Sequence, residues 1–369
     1  MNKPKKNFKT FYENSMFSKG EFYIKVCLIF LVATIFIIIF ITQNGRMFFE
    51  FYPYTEKFKG NEFQLHVIDV GNGDAMILKF PNNQSMMIDT GDENYSDVVE
   101  SYVQQYLWSE DLDKIDHLVL THADSDHVGG AKAIIDRFKV VNLYRPKVYS
   151  LTESQTLETL EDYNISETKT YDSVIDKAYQ ENCNMIFNEA GITLYLGGAK
   201  VEFLAPLYQN YSVSNNYSAV IKITYQTKTF LFMGDTQTSA EQTLIDKYGD
   251  DLKADVLKVG HHGSHTSSSA EFLQVVKPEY AILSCNASEY YPHEDVVENL
   301  KNVNATMLST GIRGSFAMTV ENNKIIYANA EKPSNDLALV FTIFLLLIFI
   351  IWENPFKKVK PWINKIKND

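Results

Sequence analysis

Four residues able to hold a metal, His122, Asp124, Asp126 and His127, fall within six positions of the stretch LVLTHADSDHVGG (118–130). Imidazole and carboxylate together suit zinc, manganese or iron. A β-rich run (117–120) leads into them and a Gly-Gly pair follows, so they sit where a strand gives way to a helix. A loop anchored by a strand on one side can converge ligands at i, i+2, i+4 and i+5 on a cation or a cation pair. The plain alternative, a solvated polar loop, fits that strand–loop–helix setting less well. Asp235 ends a second apolar run, FLFMGD (230–235), where a carboxylate can be held rigidly; a lone Asp there is otherwise a turn residue. His261 and His262 close a third run, KVGHHGS (258–264), and His293 stands in YYPHEDVVENL (290–300), where a helix is predicted to begin.

The stretch THADSDHVGG resembles the T-H-x-H-x-D-H-x-G-G signature of the metallo-β-lactamase superfamily, with Asp124 in place of the second histidine. That replacement resembles one branch, the extracellular hydrolase-like domain of the ComEC/Rec2 family of DNA-uptake proteins. Further pieces match it in order: HVIDVGNGDAMIL (66–78), MMIDTG (86–91), FLFMGD and DVLKVGHHGSHTSSS (255–269). The resemblance spans about residues 62 to 328. It implies an α/β fold, a metallo-β-lactamase-like αββα sandwich of two mixed sheets.

The resemblance also implies the site. His122, Asp124, Asp126, His127, Asp235 and His293 become the metal ligands, with Asp235 bridging. The family writes Y-G-H-P where this chain has Tyr290-Tyr291-Pro292, so His293 is either the displaced last ligand or a helix N-terminal histidine. A mid-chain histidine ligand is missing; the matching VSNNYSAVIKI (213–223) offers Asn215, Asn216 and Ser218. An oxygen-rich first site admits manganese as well as zinc, so the expected cofactor is one or two divalent ions of either kind. A metal-bound hydroxide would attack phosphorus or a carbonyl, with Asp126, His261 and His262 at the catalytic mouth and His262 either protonating the leaving oxygen or steadying the scissile phosphate. Ser264 and Asn216 are candidate substrate contacts, while Asp69, Asp74 and Asp89 are expected to brace the metal loop.

Two apolar runs flank this region. Residues 22–42 match the length of a membrane-spanning helix, and no A-x-A-like cleavage site follows them. Residues 336–352 are slightly short for a span, but Trp352 can lie at the interface and the following lysines can snorkel. Basic tails at 1–21 and 353–369 favour the cytoplasmic side. The expected arrangement is a cell-membrane protein with two spans, both termini cytoplasmic and residues 43–335 outside. Two spans are too few for a channel.

Between the runs, 23 basic residues face 41 acidic ones, a net charge of −18. A domain this acidic repels a polyanion unless metals or a local basic patch draw it in. The expected substrate is a phosphodiester, nucleic acid among the possibilities, and no nucleotide cofactor is called for. The three cysteines (Cys27, Cys183, Cys285) form no disulfide framework. Strands are predicted over 63–70, 75–80, 85–88, 115–120, 256–259 and 280–284, with hairpins over 192–204 and 219–233 and closing strands to 327. Helices are predicted over 96–107, 131–138, 239–248, 268–276 and 295–301, and 151–188 reads as polar helices and loops. The alternative to an enzyme is an accessory surface module with an eroded metal site, for which the altered YYPHE segment speaks.

Overall fold

Side chains alternate along each strand, and here the alternation sorts them into three apolar layers. In β2 (Ala75–Lys79), Met76 and Leu78 enter one layer while Ala75 and Ile77 enter another. In β10 (Lys228–Phe232), Phe230 and Phe232 join Met76 and Leu78, whereas Leu231 joins a third group. The shared layer lies between two sheets, and each remaining layer lies under helices. This is the expected αββα sandwich.

The structure, a computed structural model, describes residues 62–109, 112–154, 168–208, 211, 213–288 and 290–329, with Ile29 besides. From residue 62 onward these belong to one compact unit, Tyr52–Lys332. The first sheet contains β1 (Gln64–Val67), β2, β3 (Ser85–Thr90), β4 (Lys114–Val119), β5 (Lys139–Arg145), β6 (Asn184–Phe187), β14 (Phe316–Glu321) and β15 (Lys324–Asn329). Its order is β15-β14-β1-β2-β3-β4-β5-β6, antiparallel as far as β3 and parallel from there. The second contains β7 (Thr193–Leu196), β8 (Ala199–Ala205), β9 (Val220–Tyr225), β10, β11 (Val256–Lys258), β12 (Tyr280–Leu283) and β13 (Thr306–Ser309). Its order is β13-β12-β11-β10-β9-β8-β7, with β10 to β13 parallel.

Phe63 helps to lock the sheets together, its ring 4.9 Å from Phe230 and 5.4 Å from Tyr225. Each fully buried side chain of this size contributes about 1.5–3 kcal/mol. Helices Ser96–Ser109, Ala131–Arg137 and Lys169–Gln180 cover the first sheet; Thr238–Tyr248, Ala270–Val276 and Glu294–Asn302 cover the second.

Parallel strands direct their carboxyl ends to one edge, and α/β folds gather ligands there. His122 follows β4, Asp235 follows β10 and the two histidines follow β11. The segment 151–188 differs from its polar reading, since it ends in β6 at the sheet edge, half-exposed and without clear alternation. Strand β5 likewise goes beyond the elements read from the sequence. Among the described residues no helix is long and apolar enough to cross a membrane. The expected spans, 22–42 and 336–352, and both basic tails lie outside the described residues, Ile29 apart.

Candidate metal centre

The metal loop leaves β4 at Leu120 and is bolted down by Asp89, at the end of β3. Asp89 Oδ1 accepts from the Thr121 N–H at 2.7 Å, and Oδ2 accepts from Thr121 Oγ1 at 2.7 Å and from His127 Nδ1 at 2.8 Å. The short helix Ser125–Val128 then carries Asp126 and His127 inward. Its Gly-Gly pair permits close approach: a Cβ on Gly129 would lie 2.3 Å from the Glu93 nitrogen, and one on Gly130 2.5 Å from the Thr90 oxygen. Asp235 is fixed from behind by its own N–H, which donates to Ser218 Oγ at 3.0 Å.

His261 and His262 both hold left-handed backbone, with φ of 48° and 53°. For residues other than glycine this costs roughly 1–2 kcal/mol each, and such strain concentrates at functional sites. Here it turns two consecutive imidazoles toward one centre. His261 Nδ1 meets Thr266 Oγ1 at 2.9 Å, and His262 Nδ1 donates to the Ser284 carbonyl at 3.0 Å.

Four imidazoles thus have Nδ1 tied to the protein and Nε2 turned toward Asp235. His127 Nε2 lies 3.1 Å and His262 Nε2 3.5 Å from Asp235 Oδ1; His122 Nε2 lies 3.7 Å and His261 Nε2 3.8 Å from Oδ2. Asp124 Oδ2 stands 3.7 Å from His122 Nε2, and Asp126 Oδ2 stands 3.3 Å from His262 Nε2 and 4.0 Å from His127 Nε2. Each oxygen of one carboxylate therefore faces two imidazoles, with a further carboxylate alongside. That is a donor set suited to metal ions, with Asp235 at its middle.

The electrostatics ask for positive charge at this spot. Burial alone would depress His127, but the carboxylates of Asp235 and Asp89 outweigh it and hold the imidazole well above its ordinary value. His262 is buried too, yet Asp235 and Asp126 raise it in the same way. Their Nε2 atoms are 3.3 Å apart, so the carboxylates hold cationic charge between the rings rather than two independent imidazoliums. Burial pushes His122 down to about 3, and its Nε2 is buried with no hydrogen-bond partner. A neutral, unpartnered imidazole nitrogen beside carboxylates fits a metal ligand.

The remaining expected site residues are placed differently. His293 is outside this cluster: it precedes the helix Glu294–Asn302, and its Nε2 faces His265 Nδ1 at 3.3 Å. His262 brings an imidazole Nε2 to 3.5 Å from Asp235 Oδ1. Asn216 is buried with its amide used locally, Oδ1 accepting from the Gln237 N–H at 3.0 Å and Nδ2 donating to Ser239 Oγ at 3.1 Å. Ser264 is likewise buried, its hydroxyl 3.1 Å from Thr266 Oγ1, so it supports the turn that holds His261. Ser284, which holds His262, goes unread in the sequence because a single hydroxyl residue carries no spacing signal.

Asp89→Asn is expected to weaken metal binding about 10–100-fold, the usual effect of removing an outer-shell partner, with the fold retained. Chelator competition on the purified protein measures it.

Residues 68–287 match the metallo-beta-lactamase superfamily, and the chain belongs to that family. Within it, the chain is similar to ComE operon protein 3 of Bacillus subtilis (strain 168), at 28% identity over 277 residues, 71% of this chain and 34% of that protein. It is also 29% identical over 266 residues to Recombination protein 2 of Haemophilus influenzae, covering 71% of this chain and 29% of that one. The chain therefore spans about a third of the length of the curated relatives it matches. Among solved structures, the metallo-beta-lactamase fold protein YhfI from Bacillus subtilis is similar at 14% identity and a TM-score of 0.41, covering 67% of this chain and 95% of that chain.

Proposed function

We propose that this protein is a metal-dependent hydrolase of phosphodiesters, nucleic acid among them, held at the membrane by its apolar runs with residues 43–335 outside the cell. The observation that carries the hydrolase reading is the Asp235 carboxylate with two imidazole Nε2 atoms on each oxygen. His122, His261, Asp124 and Asp235 would hold one cation; His127, His262, Asp126 and Asp235 would hold the other. Zinc and manganese both suit this mixture of nitrogen and oxygen donors. Bound divalent ions supply a lowered water pKa and stabilisation of developing phosphoryl charge. The chain's own part is to fix the donors: Asp89 holds His127, Ser284 holds His262, Thr266 holds His261 and Thr121 holds His122 at 3.0 Å.

The relatives named above include a recombination protein, which favours a nucleic-acid substrate over a small ester. The acidic surface means that the metals must offset repulsion of a polyanion. Support for an eroded accessory module rested on the displaced His293. His262, whose Nε2 faces Asp126 and Asp235, is placed to take that role, which supports the enzyme reading over the module.

The test is metal analysis of purified protein, followed by hydrolysis of bis(p-nitrophenyl) phosphate and of single- and double-stranded DNA. Metal-loaded protein that turns over none of these would favour the accessory reading. For topology, a cysteine at the exposed Asp246 is expected to react with an impermeant reagent on intact cells. Labelling that appears only after lysis would sink the outward placement.

A further inference from the structure

Lys258 is fully buried at the end of β11, where alternation turns it the same way as Val256, into the space between the sheets. A lysine is rarely found in such a place unless paired. Its ammonium lies 2.8 Å from Asp74 Oδ2 and donates to the Val259 carbonyl at 2.8 Å. Asp74, also fully buried, turns its other oxygen to His262 Nδ1 at 3.5 Å.

Asp74 has atoms close enough to His127, Asp235 and His262 to count as a fourth ligand of a buried cluster. Two observations argue otherwise. Asp74 approaches His262 on its Nδ1 side, whereas the edge that faces Asp235 and Asp126 is Nε2. A carboxylate already neutralised by an ammonium is also a poor partner for a second cation. Five carboxylates surround this region (Asp74, Asp89, Asp124, Asp126, Asp235), and only Asp74 has a lysine against it.

We propose that Lys258 is a positioning residue in a buried chain Lys258–Asp74–His262: by pairing with Asp74 it keeps that carboxylate out of the ligand set, so that His262, held by Ser284, turns Nε2 to the metal centre. This rests on the metal-site reading above. Lys258 occupies one oxygen of Asp74, Asp74 sits behind His262 beside the Ser284 carbonyl, and the ring has one edge left for a metal.

The experiment uses the full chain, with cobalt(II) as the probe, and the variants Asp74→Asn, Lys258→Met, their double, and Asp235→Asn. Asp74→Asn should leave the positions of the cobalt absorption bands unchanged, because no ligand is lost, while Asp235→Asn should alter them. Lys258→Met should weaken cobalt binding about 10–100-fold. It should also lower the metal-free melting temperature by about 6–15 °C, since it leaves a buried charge unpaired. The double variant should recover most of both losses, because the neutral pair leaves no lone charge and Ser284 still holds the ring. If Lys258→Met does not fold, recovery of a folded, cobalt-binding double variant supports the chain equally.

A change in the cobalt bands in Asp74→Asn like that in Asp235→Asn would make Asp74 a ligand and overturn the proposal. So would additive effects of the two substitutions in the cycle, or a double variant no better than Lys258→Met. Wild-type protein that takes up no cobalt would overturn the metal-site reading together with this one, which separates the two failures.

Discussion

Asp235→Ala is expected to strip the centre of metal and of hydrolysis in one step while the fold survives. No other carboxylate in the centre faces all four Nε2 atoms. Removing it leaves Asp124 and Asp126 on opposite flanks with nothing joining them. The affinity loss should exceed the roughly 100-fold upper end for outer-shell changes, and dialysed protein should retain less than one ion per chain. A second readout needs no metal. Asp235 raises both His127 and His262. Imidazoles raised in the folded state contribute stability that is complete below the ordinary histidine pKa and is lost as pH rises through the folded value. Metal-free wild type should therefore lose stability as pH rises above about 6.5. In Asp235→Ala that decline should shrink, because the charge that holds the protons on the rings is gone. Urea midpoints across that range test it. Full metal occupancy in the variant would remove Asp235 from the ligand set.

The metal loop is legible in the sequence because its ligands are local: four donors in six residues, carried by a strand whose apolar run is unmistakable. The αββα class is legible through the resemblance, which several motifs in order carry, and through the succession of β-blocks and helices along the chain. What could not be read depends on the path of the backbone. His261 and His262 are read at the catalytic mouth, but that both turn Nε2 to Asp235 follows from two left-handed residues, a conformation that residue type does not announce. His293 has the right chemistry and a suggestive neighbourhood, yet the helix that begins after it points the ring toward His265. Lys258 is hidden differently. A lysine in KVG reads as a strand-end surface residue, and only its pairing across the sandwich with Asp74, from the turn before β2, explains its burial. Edge strand β6 escapes because half-exposed residues carry little alternation.

The two histidines competing for the last ligand position should separate cleanly. His262→Ala is expected to lose bound metal, and activity with it, on every substrate. Its Nε2 lies 3.3 Å from Asp126 Oδ2 and 3.5 Å from Asp235 Oδ1, and its other nitrogen is occupied by the Ser284 carbonyl at 3.0 Å. The deletion therefore removes a preoriented donor, with no neighbour placed to replace it. His293→Ala should keep wild-type metal stoichiometry, since its Nε2 is directed at His265 and its ring meets Tyr291 edge to face at 5.3 Å. A proton-donor role for His262 makes the opposite prediction. Metal would then be retained, and the rate would fall about 10²–10⁴-fold on unactivated phosphodiesters. It would fall much less on p-nitrophenyl esters, whose leaving group needs little protonation. Metal content is thus measured alongside rates on both kinds of substrate for each variant. Retained metal in His262→Ala with a leaving-group-dependent rate loss would make it the acid; lost metal in His293→Ala would return the ligand role to the position expected from the sequence.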